Sequence, residues 1–366
     1  MNQSTTPPII KSFEFAVRRI GFIALLFVVS TAFAGGQTSA PNDSMFSAIE
    51  DTEALYAEDK AARNQRIDEK AFNRQFKRRT ATVNGISINY FTGGRGEPLV
   101  LLHGFTQTSR AYRRVMPALA EKYTLIVLDL RGFGDSERKP PYEGRTVADD
   151  VFKLVQSLGH KQILLVGHDL GGPVAYSYAA QHPQDVRKLV ILEGTPPGFE
   201  PPPTNGENEA DKPLIWHPMF QMTPNLPEAL TKGREKVYLE YFFRNFAVDP
   251  QTFSDEEIGE YARAYAKDGG MHAAFEHYRA IPETARQNKE YGRNKLPMPV
   301  LAMGGAKSYG KSMEASARIF ASDVRGIVIE KAGHFIPDER PVYFTRILLS
   351  FFDELQTANV LQEKQR

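Results

Sequence analysis

The stretch that decides the fold is Ile163-Leu164-Leu165-Val166-Gly167-His168-Asp169-Leu170-Gly171-Gly172-Pro173. Its leading apolar residues are typical of a strand that is buried on both faces of a sheet. The glycines that follow allow a sharp turn into a helix, and the G-x-D-x-G pattern has a carboxylate where such an elbow more often carries serine. This turn lifts one side chain above the sheet at a helix N-terminus, where N–H groups stabilise an anion. We therefore predict that Asp169 is a nucleophile; a helix-capping aspartate is the alternative.

Apolar runs elsewhere extend this unit into a larger sheet. Asn84-Gly85 is a hairpin signal, and the alternation after it predicts a half-buried strand. Further buried strands are predicted at residues 99–102, 125–128, 189–192, 300–303 and 327–329. Helical spacing predicts helices between most of them, at residues 109–123, 147–158, 173–181, 313–322 and 342–355. This alternation predicts an α/β fold, with a mostly parallel sheet and helices on both faces.

One gap interrupts the alternation. About 100 residues separate the strand at 189–192 from the strand at 300–303, far more than a simple crossover needs. Helical patterns occupy residues 227–246, 255–267 and 271–287 of this gap. We predict a helical cap domain at residues 195–296, inserted into a core of residues 73–194 and 297–366. Ligands in such sheets bind at the carboxyl ends of the strands, so a cap there would cover the site.

Composition excludes several classes of function. The chain has 366 residues, a formal net charge of +1 and no cysteine. The missing cysteines exclude disulfides, thiolate catalysis and cysteine-based metal sites. The balanced charge gives no field that would recruit nucleic acid or an anionic membrane.

The first 72 residues differ from the rest. Three basic residues precede an apolar run at residues 20–29, and Ala32-Phe33-Ala34 follows it. This order predicts a signal peptide over residues 1–34, hence an exported protein, periplasmic or secreted, without stable membrane association after cleavage. An uncleaved anchor is the alternative, although the run is short for a span of ~20 residues. Residues 35–72 form a charged arm, for which we predict a solvated helix near residues 54–70.

Two later positions could complete a catalytic site with Asp169. His334 lies in a loop after the last predicted strand and is the candidate base that activates water. No carboxylate follows the strand at 300–303, where an acid is usual, but Glu193 ends the preceding strand. We assign Glu193 to orient His334 and stabilise its imidazolium, with Asp323 as a weaker alternative. Backbone N–H groups of Phe105 and Leu170 are the candidate oxyanion hole.

Together these residues resemble the α/β-hydrolase superfamily, in its epoxide hydrolase and dehalogenase branch, and are most similar to the Cif-type exported epoxide hydrolases. The likeness covers residues 73–355 approximately. The matching stretches are His103-Gly104-Phe105, Gly167-His168-Asp169-Leu170-Gly171, Glu193 with the Gly-Thr-Pro-Pro-Gly after it, Trp216-His217, residues 261–267, residues 274–280 and Gly333-His334. The resemblance implies an α/β-hydrolase fold with a helical cap insertion, a small epoxide as substrate, no metal or other cofactor, and a possible homodimer. It also implies that His217 and Tyr278 of the cap donate hydrogen bonds to the epoxide oxygen.

Two other functions stay open on the sequence. A haloalkane or haloacid dehalogenase would use the same Asp169 and expel halide. The resemblance argues against haloacids, because fluoroacetate dehalogenases have arginine after the nucleophile and tryptophan after the cap histidine, where this chain has Leu170 and Pro218. The third hypothesis is a secreted binding protein that keeps the fold without turnover.

Overall fold

The computed structural model describes residues 49–201 and 216–363. The predicted signal peptide and the start of the charged arm lie outside these residues. The strands are β1 (Lys77–Val83), β2 (Ile86–Gly94), β3 (Glu97–Leu102), β4 (Tyr123–Leu128), β5 (Ile163–His168), β6 (Val186–Leu192), β7 (Val300–Gly305) and β8 (Val324–Ile329). They form one sheet in the order β1-β2-β4-β3-β5-β6-β7-β8. β1, β2 and β4 pair antiparallel, and all pairs from β4 onward are parallel.

The α/β-hydrolase fold expected from the sequence is confirmed, with helices on both faces of the sheet. Helices of the core are α3 (Met116–Leu119), α4 (Gly144–Ser157), α5 (Gly171–Gln181), α12 (Ser312–Phe320), α13 (Ile336–Glu339) and α14 (Pro341–Glu363). Alternate residues of β3 belong to the two apolar cores, Val100 and Leu102 to one and Leu99 and Leu101 to the other. Burial of both faces explains why the parallel strands are continuous apolar runs.

Between β6 and β7 lie the helices α6 (His217–Met222), α7 (Leu226–Thr231), α8 (Glu235–Phe246), α9 (Asp255–Tyr265), α10 (Gly270–Arg279) and α11 (Ile281–Tyr291). Two helices predicted here as continuous are divided. Gly233, at φ +75°, lies between α7 and α8, and Pro282 is the second residue of α11, which starts just after the end of α10. A proline has no N–H to continue the ladder of the preceding helix. Pro117 similarly divides the helix predicted at residues 109–123 into a 3-10 turn (Ser109–Tyr112) and α3.

The prediction that the charged arm is solvated is wrong. It forms α1 (Glu53–Asn64) and α2 (Glu69–Gln75), and Leu55, Asp59 and Arg63 of α1 are buried. Asp59 Oδ2 accepts a hydrogen bond of 2.7 Å from Arg340 Nε, although 281 residues separate them. Charged side chains can be buried when a partner neutralises them. The amphipathic pattern of α1 alone does not reveal a partner so distant in sequence.

The parallel strands bring the loops of interest to one edge of the sheet. His168 of β5 pairs with Leu192 of β6, so Asp169 and Glu193 leave adjacent strands at the same level. The loop with His334 follows β8 on the same side. Within the described ranges, no helix has the length and apolarity needed to cross a membrane.

Candidate active site

Asp169 occupies the sharp turn predicted between β5 and α5. Its φ of +51° is rare for a residue with a side chain. The turn also requires small neighbours: a Cβ on Gly167 would lie 2.3 Å from the carbonyl oxygen of Gly171. A Cβ on Gly104 would lie 2.2 Å from the Asp169 side chain, which shows how closely the β3 loop approaches. These glycines therefore make room for the Asp169 side chain above the sheet, on a backbone turn that is strained.

The two oxygens of the Asp169 carboxylate have different neighbours. Oδ1 accepts a hydrogen bond of 2.6 Å from the Phe105 N–H, and the Leu170 N–H also donates to the carboxylate. Oδ2 lies 3.6 Å from His334 Nε2. The side chain is 18% exposed, and burial raises its pKa against the opposing effects of His334 and the two N–H groups. Oδ1 is thus held by the Phe105 N–H, and Oδ2 is directed toward the imidazole.

His334 lies between Asp169 and Glu193. Its Nδ1 is 3.1 Å from Glu193 Oε2, so an N–H at Nδ1 donates to that carboxylate. Burial lowers the pKa of His334, but the Glu193 hydrogen bond and the negative charges of Asp169 and Glu193 outweigh it and raise the pKa above its ordinary value. The arrangement is that of a nucleophile, a base and an orienting acid.

Glu193 reaches His334 because of its own backbone turn. It is fully buried at φ +54°, immediately after β6. Its second oxygen, Oε1, accepts a 2.6 Å hydrogen bond from the Gly305 N–H at the end of β7. The loop after β7, where an acid is usual, thus supplies a donor to a carboxylate on the neighbouring strand.

His217 and Tyr278 line the cap side of the site. His217 begins α6 and Tyr278 belongs to α10; their ring centroids are 6.1 Å apart. The Tyr278 ring packs edge-on against Phe105, with centroids 5.6 Å apart. Burial and the Asp169 charge raise the pKa of Tyr278 well above its ordinary value. Burial and His334 lower the pKa of His217 to about 4, so its imidazole is neutral at pH 7.

Nδ1 of His217 is buried and has no hydrogen-bond partner. A buried polar atom without a partner costs free energy, and such atoms occur where a ligand completes the bonding. The phenol and the imidazole thus add two polar groups to a wall that is otherwise aromatic. Phe242 packs against both Phe105 and His217, at 5.3 and 5.2 Å between centroids.

Two further residues belong to this region that the sequence reasoning missed. Tyr309, in the loop after β7, has its pKa raised by burial and by the charges of Asp169 and Glu193. Glu339 of α13 is fully buried and accepts hydrogen bonds from the loop that carries His334. The available signal for Glu339 was a carboxylate five residues after His334, a spacing that does not by itself indicate contact. In the part of the chain that the structure describes, no group of three or more histidine or acidic side chains is arranged to hold a metal ion.

The sequence and the fold are similar to those of known proteins. Residues 97–341 match the family model for the alpha/beta hydrolase fold. The soluble epoxide hydrolase of Corynebacterium sp. (strain C12) is 35% identical over 280 residues, which cover 75% of this chain and 97% of that protein. The fluoroacetate dehalogenase of Burkholderia sp. is 29% identical over 300 residues, which cover 77% and 96%. The crystal structure of the Cif epoxide hydrolase from Acinetobacter nosocomialis aligns with a TM-score of 0.70 at 23% identity, covering 81% of this chain and 94% of that one.

The chain therefore belongs to the α/β-hydrolase family. Within that family its relatives include proteins named epoxide hydrolases, and it is an enzyme of the hydrolase class. The Cif protein is among its structural neighbours, but at 23% identity that likeness concerns the fold alone, whereas the Corynebacterium enzyme is more similar in sequence.

Proposed function

We propose that this enzyme is an epoxide hydrolase, which converts a small epoxide to a vicinal diol through a covalent hydroxyalkyl ester on Asp169. The observation that carries the proposal is that the two oxygens of the Asp169 carboxylate have different neighbours. Its Oδ1 is held by the Phe105 N–H at 2.6 Å, and its Oδ2 lies 3.6 Å from His334 Nε2. A carboxylate placed this way can attack with one oxygen while the other becomes the carbonyl oxygen of an ester.

In the first step, Oδ2 of Asp169 forms a bond to one epoxide carbon, and the bond between that carbon and the ring oxygen breaks. The ring oxygen leaves with the electron pair as an alkoxide, a poor leaving group unless donors stabilise it. Tyr278 and His217 face the site from the cap and supply those donors. Because the pKa of His217 is lowered to about 4, it acts through an N–H of the neutral imidazole rather than as an imidazolium ion. Tyr278 supplies the proton that turns the alkoxide into a hydroxyl group.

In the second step, neutral His334 takes a proton from a water molecule, and the resulting hydroxide attacks the ester carbonyl carbon. The oxygen that becomes negative is the former Oδ1, which already receives a hydrogen bond from the Phe105 N–H, and the Leu170 N–H also donates to this carboxylate. Glu193 stabilises the imidazolium at 3.1 Å. Collapse of the tetrahedral intermediate expels the diol alkoxide, which takes the proton from His334. The other proton of the water, left on the Asp169 carboxyl group, returns to the Tyr278 phenolate, so that both residues regain their starting states and the diol leaves.

A dehalogenase is the second candidate, favoured by the 29% identity to the fluoroacetate dehalogenase. It would use the same ester chemistry, with halide as the leaving group. Leu170, next to the nucleophile, offers no cation to a substrate carboxylate, whereas a carboxylate is best held by a bidentate arginine. A neutral substrate fits the aromatic wall better. A binding protein without turnover would have no need of a buried histidine aligned between two carboxylates.

The test compares wild type with Asp169→Ser and His334→Gln on styrene oxide, 1-bromobutane and fluoroacetate. We expect diol from styrene oxide with wild type, no turnover with Asp169→Ser, and an added mass of one intact epoxide on His334→Gln. That last variant should accumulate the ester because the base acts only in the second step. Diol formation that survives Asp169→Ser would refute the nucleophile, and halide release without diol would establish the dehalogenase.

A further inference from the structure

The buried carboxylate of Glu339 takes no part in the mechanism above, yet its donors surround the catalytic base. It lies at the end of α13 and is fully buried. Its Oε1 accepts hydrogen bonds from the N–H groups of Phe335 at 2.9 Å and Gly333 at 3.1 Å. Its Oε2 accepts from the Gly333 N–H at 3.0 Å and from the Val248 N–H at 2.7 Å. The carboxylate therefore binds the residues on both sides of His334 and, through Val248, the segment after cap helix α8.

The backbone of His334 itself is bound to the same cap segment and to the elbow. Its N–H donates to the carbonyl oxygen of Phe246 at 2.8 Å. Its carbonyl oxygen accepts a hydrogen bond of 2.8 Å from Nε2 of His168. Burial lowers the pKa of His168 well below its ordinary value, so that imidazole is neutral. With Glu339 on its flanks, the loop has little freedom to move the imidazole toward or away from the ester.

The Glu339 contacts differ in kind from the two neutral hydrogen bonds. Hydrogen bonds to an ionised acceptor are roughly twice as strong as neutral ones, so these contacts are strongest above the pKa of Glu339. Three backbone N–H groups converge on this carboxylate, two from the His334 loop and one from the cap. Burial raises the pKa of Glu339 to about 7, against these donors and with a smaller contribution from Glu193. The fold thus retains an acid that is costly to bury, in a position from which it holds the loop that carries His334.

We propose that Glu339 is a positioning residue, which fixes the His334 loop against the cap so that the imidazole meets the water that hydrolyses the ester. This inference rests on the proposed function, because it assigns Glu339 to the second chemical step alone. Ester formation requires Asp169, Tyr278 and His217, none of which contacts Glu339. A displaced imidazole therefore slows ester hydrolysis and leaves ester formation intact, whereas a general loss of folding reduces both steps together.

The experiment measures the two steps separately in Glu339→Gln, by rapid quenching and intact-protein mass spectrometry after mixing with styrene oxide. The amide puts an NH2 group where a carboxylate oxygen accepts from backbone N–H groups, so at least one contact is lost. We expect ester hydrolysis to slow by about tenfold to a hundredfold, the scale of a misplaced catalytic group. We expect ester formation to change by less than about twofold, so the ester accumulates in the steady state.

Asp59→Asn is the matched control. Asp59 is equally buried and also accepts two backbone N–H groups, but those belong to Val342 and Tyr343 of α14 and not to the His334 loop. Its variant should lose stability and keep the wild-type ratio of the two rates. If Glu339→Gln does not fold, Glu339→Asp keeps the charge on a shorter side chain and should show the same selective loss.

Three outcomes would contradict the inference. An unchanged rate of ester hydrolysis in a folded Glu339 variant would remove the positioning role, and so would an equal decline of both steps. The same selective loss in Asp59→Asn would assign the effect to general loosening. Failure of the proposed function gives a different result. In that case His334→Gln, with Glu339 intact, forms no ester at all, and the positioning role of Glu339 is refuted together with the function.

Discussion

At the scale of single residues, Glu193 raises the pKa of His334. Burial alone would lower the pKa of the His334 imidazole, and the largest opposing effect is the hydrogen bond that His334 donates to Glu193. In the proposed mechanism His334 acts as a base in the second step only when it is neutral, so a raised pKa predicts that hydrolysis of the ester increases as pH rises through that pKa. Glu193 therefore stabilises the imidazolium product at the expense of activity at low pH.

Glu193→Gln should move the acid limb of the kcat profile to lower pH. Removing the carboxylate removes the main cause of the raised pKa and leaves burial, which lowers it. The plateau should also fall by about a hundredfold or more, because the imidazolium and its tautomer lose their stabilising partner. The measurement is kcat for epoxide hydrolysis from pH 5 to 9.

Asp323→Asn is the control for that series, because Asp323 is an exposed acid directly before β8. It should leave both the acid limb and the plateau unchanged. An acid limb that stays in place in Glu193→Gln, or moves to higher pH, would show that another group orients His334.

At the scale of elements, α1 is bound through Asp59 to Arg340 and to the start of α14. Arg340 is fully buried and is bound by Asp59 and Asp51 together. Arg63 of α1, also buried, donates to Asp249 after α8 at 3.0 Å. One helix near the N-terminus therefore contacts both the C-terminal part of the core and the cap segment between α8 and α9.

Asp59→Asn should lower the free energy of unfolding by about 2 kcal/mol, the scale of a lost hydrogen bond to a buried charge. The amide can still cap α14 with one oxygen, but its NH2 group faces the Nε donor of Arg340. Urea unfolding followed by circular dichroism measures the change.

The matched control is Glu58→Gln, one residue earlier in α1. Glu58 forms an ion pair with Arg346, and both side chains are about half exposed, at 52% for Glu58 and 48% for Arg346. An exposed pair contributes less than about 1 kcal/mol. If both variants lose the same stability, the burial of the Arg340 cluster has no energetic significance.

The comparison of sequence with structure is also clearest for elements. Buried parallel strands are continuous apolar runs, so all of those predicted in the core appear in the sheet. The chain order of Asp169, Glu193 and His334, with Glu193 at the end of the strand beside β7, indicated their proximity because parallel strands end at one edge. The docking of α1 and the role of Glu339 were not visible, because each depends on contacts that no local pattern encodes. Helix divisions at Gly233 and Pro282 were visible as residue types, but apolar spacing continued across both and favoured a single helix.

At the scale of the whole molecule, the proposed export signal must be removed without loss of α1. Cleavage after Ala34 removes Lys11, Arg18, Arg19 and Glu14 and changes the formal net charge from +1 to −1. It leaves Asp51 and Asp59 in the chain. Cleavage beyond Asp51 would take one partner from Arg340, and a buried charge that loses a partner is strongly destabilising.

We therefore predict that the mature enzyme begins between Gly35 and Pro41, the residues that follow the two small-residue sites at Ala34 and Ala40. Expression of the full chain, followed by fractionation of the cells and mass spectrometry of the purified product, measures the new N-terminus. Replacing Ala32, Ala34, Thr38 and Ala40 by leucine should keep the precursor intact and membrane-bound, because signal cleavage requires small residues at these positions. A wild-type product that is soluble and retains Met1 would refute export, and an active product that begins after Asp59 would show that α1 is dispensable to the fold.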